Sequence, residues 1–353
     1  MPRACVFVSL LLLTVVGWCQ GQEVGLLQWE RLPDLPQPIS GHFAGTVGGR
    51  LTVIGGAYFP VSLFEGGRKT WVDRIRVLDG PQGRWRTAGR LPHPLAYGAT
   101  VCDGDDLICI GGGDATRNYA EVFRLAYRGP VLQSVALPSL PQECAMMGAA
   151  RIGSVLYVCG GQRTPTDTQA LQSLWALDLR SPERGWQVLE PCPGPGRILP
   201  IVCAQAGALY VISGAELLAG PDGKPTRRYL TDAYRYRPGR GWEALPAVPR
   251  PVVAAPATAW GQDNILVLGG DDGSLAPRVN ELRERHPGFS RDALSLDVQT
   301  GKWSRAGDWP AGLVTTTAVR WDDRIVVAGG EDRPGHRSCR VWGLRTGALQ
   351  PLR

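Results

Sequence analysis

Lysine, histidine and metal-ligand spacings are scarce in this chain. Of 38 basic residues in 353, only Lys69, Lys224 and Lys302 are lysine; the rest are arginine, scattered singly among 32 acids. No run of five or six like charges occurs, so the formal charge of +6 reads as a solvated surface rather than a nucleic-acid interface. The four histidines, at 42, 93, 286 and 336, stand far apart, and the nine cysteines form no C-x-x-C. Zinc and dithiol chemistry therefore lack ligands, and no metal or redox cofactor is expected. The longest apolar run, Val6 to Val16, has 11 residues, short of the about 17–25 of a spanning helix. What is abundant is glycine, 46, and proline, 29. Both resist helix interiors, which excludes a helical bundle and fits a TIM barrel poorly.

The first 22 residues have the three parts of a secretory signal: Arg3, the apolar run, then the small residues Gly17 and Gly21. Residues 1–22 are expected to be a signal peptide and 23–353 one domain, exported to the periplasm or secreted. A lipid anchor on Cys19 is the less favoured alternative, because Trp18 before it suits a lipobox poorly. After cleavage seven cysteines remain, an odd number. Cys102, Cys109, Cys159 and Cys203 sit inside apolar strand patterns, where free cysteine acts as a small hydrophobe.

A six-fold period decides the fold class. Apolar runs end in a small pair at Gly55-Gly56, Gly111-Gly112, Gly160-Gly161, Ser213-Gly214, Gly269-Gly270 and Gly329-Gly330. Trp29, Trp85, Trp186, Trp242 and Trp303, with Ser134 in the sixth place, lie 26 or 27 residues before them. Seven residues after each marker comes a proline, at 36, 92, 141, 193, 249 and 310. A repeat near 50 residues has the kelch period. Each unit reads as four short strands, the second ending at the small pair and the fourth carrying the tryptophan, a plate for the gap between neighbouring sheets. The expected fold is an all-β, six-bladed kelch β-propeller. Its last blade should be completed by the strand around Trp29, which closes the ring and removes an exposed edge. Ala276 to Gly288 interrupts the period, as a short helical insertion and a pocket wall.

The residue after each small pair opens a loop near one mouth of the channel: Ala57, Gly113, Gln162, Ala215, Asp271 and Glu331. Only two are acids. Glu331 opens Gly330-Glu-Asp-Arg-Pro-Gly-His-Arg337, where a Pro-Gly turn brings a carboxylate and a guanidinium together. A surface loop with a weak ion pair is the plain alternative. Glu216 with Arg228 is a rival pair, and Asp271 a second rival.

Here the sequence resembles the kelch sialic acid mutarotases, also called N-acetylneuraminate epimerases. Their Gly-Glu-x-x-Pro-Gly-x-Arg segment is similar to residues 330–337. Gly55-Gly-Ala-Tyr-Phe59, Trp85-Arg-Thr-Ala-Gly and Ala96-Tyr-Gly98 continue the likeness, with Leu95 where the family has arginine. The blade order differs, as in a circularly permuted member. The resemblance implies interconversion of the α and β anomers of N-acetylneuraminate by acid–base ring opening, with no cofactor. It assigns catalysis to Glu331 and Arg337, Arg337 being the clamp on the sugar's carboxylate. Arg197, His42 and Asp271 are candidate substrate contacts; Arg197 reads equally as structural. The alternative function is a non-catalytic propeller that binds a glycan or protein partner. A copper radical oxidase is disfavoured because the histidines do not cluster.

Overall fold

In a computed structural model of the chain, residues 27–345 are described, and the expected signal peptide at 1–22, with Cys19, lies outside them. The described residues form six four-stranded antiparallel sheets, the blades of a β-propeller. The first blade comprises Phe43–Val47, Arg50–Ile54, Arg74–Leu78 and Arg86–Arg90. The next four open at Ala99, Gly148, Ile201 and Ala257. The sixth has Ala318–Trp321, Arg324–Ala328 and Val341–Arg345, and Trp29–Leu32 completes it, with Trp29 opposite Leu344 and Leu32 opposite Val341.

Buried aliphatic side chains form six layers, one in each gap between blades, rather than one central core. Each fully buried Val, Ile or Leu is worth about 1.5–3 kcal/mol. The tryptophans work in the same gaps. Trp85, Trp186, Trp242, Trp303 and Trp29 each donate the indole N–H to a carbonyl of the preceding blade's outer edge: Pro33, Pro138, Glu190, Pro246 and Asp308, at 2.8–3.2 Å. The second blade, with Ser134 in this place, lacks the bond.

The central throat is a ring of six backbone hydrogen bonds. Gly41 N–H donates to Thr315 O (2.7 Å), Tyr97 to Gly41 (2.6 Å) and Met146 to Tyr97 (2.7 Å). Leu199 donates to Met146 (2.7 Å), Ala254 to Leu199 (3.1 Å) and Thr315 to Ala254 (3.0 Å), which closes the circle. All six residues have φ between +52° and +63°, a conformation that five non-glycine residues hold only because the ring imposes it. The small pairs differ internally. The first residue has φ +55° to +74°, and Ser213 at +56° is accepted there; the second has φ +98° to +106° and is always glycine.

The seven described cysteines are free. Cys109, Cys159 and Cys203 are buried as expected, but Cys102 is exposed, because its strand turns Val101 inward and the next side chain outward. No described helix is long and apolar enough to cross a membrane.

Candidate active site at the hairpin end of the channel

The links between second and third strands all rise from the same end of the ring, and three of them are ribbons. Ala57–Tyr58 pairs with Thr70–Trp71, Ala215–Ala219 with Pro225–Tyr229, and Glu331–Arg333 with His336–Arg337. In the fifth blade the link is the expected insertion, with helical turns at Ala276–Arg278, Val279–Leu282 and Arg283–Arg285. Glu284 contacts Ser62 (2.5 Å) and Arg333 (3.6 Å), tying the insertion to the ribbons of the first and sixth blades.

Asp271 and Glu331 hold equivalent places in neighbouring blades. Each follows its Gly-Gly pair and exchanges two backbone hydrogen bonds with the segment entering the first strand, Val253 and Val314, at 2.9–3.0 Å. Both line a cavity of about 470 Å³, together with Arg227, Tyr229, His286 and Thr315.

On the sixth blade, Glu331 Oε1 lies 2.7 Å from Arg337 Nη1 and accepts the Gly335 N–H at 2.8 Å. Arg337 is buried and does not line the cavity; its guanidinium rests on the Phe59 ring, 5.0 Å from the centroid. Burial alone would lower its basicity, but the Glu331 charge, with Tyr97 nearby, holds it raised. Nη1 is close to Glu331 but off the line of an aligned hydrogen bond, so Nε and Nη1 are buried donors without an aligned partner. Asp332 takes His336 Nδ1 at 2.7 Å, and His336 is exposed.

On the fifth blade, Asp271 Oδ1 accepts the Gly273 N–H (3.0 Å) and Oδ2 accepts the Tyr229 hydroxyl (3.0 Å). Burial pushes the Asp271 carboxyl above its ordinary range, against these bonds and the Arg227 charge. Burial and the Asp271 charge push the Tyr229 hydroxyl up to about 12. Burial depresses His286, whose Nδ1 accepts the Gly288 N–H at 3.1 Å, so its imidazole is held neutral. Arg227 is exposed and has no carboxylate ion pair among the described residues.

The other sequence candidates lie elsewhere. Arg197 is 1% exposed, bidentate to Asp232 at 2.8 Å twice, and donates to the Ser213 and Pro195 carbonyls. These donors are taken up within the protein, and Arg197 does not line this cavity. His42 is buried between the first and sixth blades, 3.5 Å from the Thr316 hydroxyl; it lines the channel and not the cavity of Glu331. The rival pair Glu216 and Arg228 is an ion pair at 2.5 Å on its own ribbon. Arg227, Tyr229 and His286 were not singled out from the sequence. Their one signal was length, since the links carrying them are longer than those of the second, third and sixth blades. Among the described residues no group of three or more His, Cys, Asp or Glu is arranged to hold a metal ion.

No family model matches the chain. Curated relatives do. The chain is 29% identical over 200 residues to the N-acetylneuraminate epimerase of Yersinia pestis (strain Pestoides F), covering 50% of each. The matches bear out the family resemblance. The epimerase of Yersinia enterocolitica is 26% identical over 241 residues, 62% of this chain and 59% of that protein. That of Haemophilus influenzae (strain PittEE) is 27% identical over 231 residues, 58% of each. The chain thus spans about half the length of the curated relatives it matches.

Proposed function

We propose that this protein is an exported isomerase, a mutarotase that interconverts the α and β anomers of N-acetylneuraminate. The observation that carries the reading is Glu331, set on the wall of a sugar-sized cavity and charge-paired to the buried Arg337. The relatives' name supplies the substrate class, and the leader at 1–22 supports export.

The sugar is a cyclic hemiketal with a carboxylate on its anomeric carbon. Glu331 takes the proton from the anomeric hydroxyl, the bond from anomeric carbon to ring oxygen breaks, and the ring oxygen receives a proton. The open-chain ketone then turns and closes on its other face as the protons return. Positioned acid–base groups supply about 10²–10⁴-fold. Arg337, 2.7 Å from Glu331 Oε1, holds the carboxylate in place. Asp271, with its raised affinity for a proton and its link to Tyr229, is the donor to the ring oxygen. Arg227, one of two arginines on the cavity wall with Arg291, is the carboxylate clamp in this reading, because a planar fork matches two carboxylate oxygens.

The test is NMR of anomer exchange on sugar freshly released as the α anomer, at a pH where spontaneous exchange is slow. The wild-type protein should accelerate exchange, and Glu331→Gln should lose at least about 10²-fold of it with its melting midpoint kept. Absence of acceleration by the wild type rejects the reading; full activity in Glu331→Gln rejects the assignment of Glu331.

A further inference from the structure

Separate from the cavity of Glu331 and Asp271, where the closing strand meets the first blade, lies a second cleft of about 430 Å³. Gln37, Tyr58, Arg74, Arg76, Trp85 and Thr87 line it. Arg74 and Arg76 are two apart on one strand, so they point to the same face about 7 Å apart. Thr87 stands opposite Arg76 in register. Arg76 is 3% exposed. Its one side-chain partner among the described residues is the neutral Gln37 Oε1, which accepts from Nη2 at 2.9 Å. Neither Arg76 nor Arg74 has a carboxylate partner among the described residues. The neighbouring acids are already taken: Asp73 by Arg90 at 2.8 Å, and Asp79 by Arg50 and Arg86 at 2.8 and 3.1 Å.

Charged groups are almost never fully buried unless paired. Arg76 breaks that rule. Burial, aggravated by the Arg74 charge, lowers its basicity, and the one histidine whose electrostatics it touches, His42, is kept neutral. The surroundings therefore lack one negative charge. Two planar forks side by side suit a group with several oxygens in one cluster.

We propose that this cleft is an anion site, in which a carboxylate, sulfate or phosphate group sits between Arg74 and Arg76. Gln37 belongs to the segment that leads from Trp29–Leu32 into the first blade, so an anion held here ties the closing strand to the blade beside it. The inference stands apart from the mutarotase reading, because none of these residues belongs to the cavity of Glu331 and Asp271.

The experiment is a melting series of the purified protein with sodium sulfate, with inorganic phosphate and with N-acetylneuraminate, each at ionic strength matched by chloride. At least one oxyanion should raise the midpoint by a few degrees and saturate. Which of them does so tells a free inorganic ion from an acidic sugar. Arg74→Gln, at an exposed position that folding tolerates, should weaken the apparent affinity about tenfold, and Arg76→Gln should abolish the shift. A rise that follows ionic strength without saturating overturns the proposal. So does a curve unchanged in Arg74→Gln, or a shift lost only in Arg227→Gln, which would place the anion in the channel cavity.

Discussion

His42 shows how burial turns a titratable side chain into a liability. Its imidazole is pushed down to about 4, first by desolvation and also by the Arg76 charge, against the Ala328 carbonyl that favours the proton. The folded protein thus binds fewer protons than the unfolded chain between about pH 4 and 6.5, and stability falls as pH drops through that window. The loss approaches about 3 kcal/mol at the acid end. His42→Asn should flatten the urea midpoint across this range, and an unflattened profile would assign the acid sensitivity elsewhere. Arg337 makes the second prediction at this scale. In the proposed mechanism it acts on the chemical step as the partner of Glu331, so Arg337→Lys should lower kcat about 10-fold or more and leave KM nearly unchanged. A raised KM with kcat kept would instead make Arg337 the carboxylate clamp that the family likeness implies.

The small pair that ends each second strand was legible in the sequence as punctuation, but its two positions obey different rules. The first lies in the left-handed region that Ser213 adopts, where its hydroxyl donates to Leu230 O (2.7 Å) and accepts the Val252 N–H (2.9 Å). The second, near φ +100°, has no room for a side chain: a Cβ on Gly214 would lie 2.9 Å from Ile198 O. Gly214→Ala should therefore cost about 1–3 kcal/mol, read from the denaturant midpoint; an unchanged midpoint would show that the strand end can shift. The ribbon of Glu331 and Arg337 was also readable, because a Pro-Gly turn sets its register. The insertion was readable as a break in the period.

Across the whole molecule, closure is what separates a ring from a stack of small sheets. Four residues at one end of the chain, Trp29–Leu32, supply the outer strand of a blade built from residues nearly 300 positions away. A chain starting after Leu32 leaves the edge of Val341–Arg345 unpaired and uncovers the layer around Leu35 and Val341. It should melt at least several degrees lower and self-associate, as light scattering would report; a monomer of unchanged midpoint would show that the closing strand is dispensable. The ring also explains the site. Tyr229, Asp271 and Glu331 come from three successive blades and meet only because those blades are set around one axis.

Composition and period were enough, without coordinates, for the blade number, the order of strands within a blade, the closing strand and the turn that joins Glu331 to Arg337. All of these are local patterns repeated in phase, and local patterns survive being read along a line. Tertiary structure alone decided which side chains face the cavity. Position within a repeat says how far along the chain a residue lies, not which way it points. That is why Arg197, near the same end, turns inward to Asp232, and His42 into the joint between blades. Conversely, Arg227, Tyr229 and His286 reach the cavity from long links whose path the period does not describe. Partnerships across blades, such as Tyr229 with Asp271, depend on distances in space that six-fold closure creates.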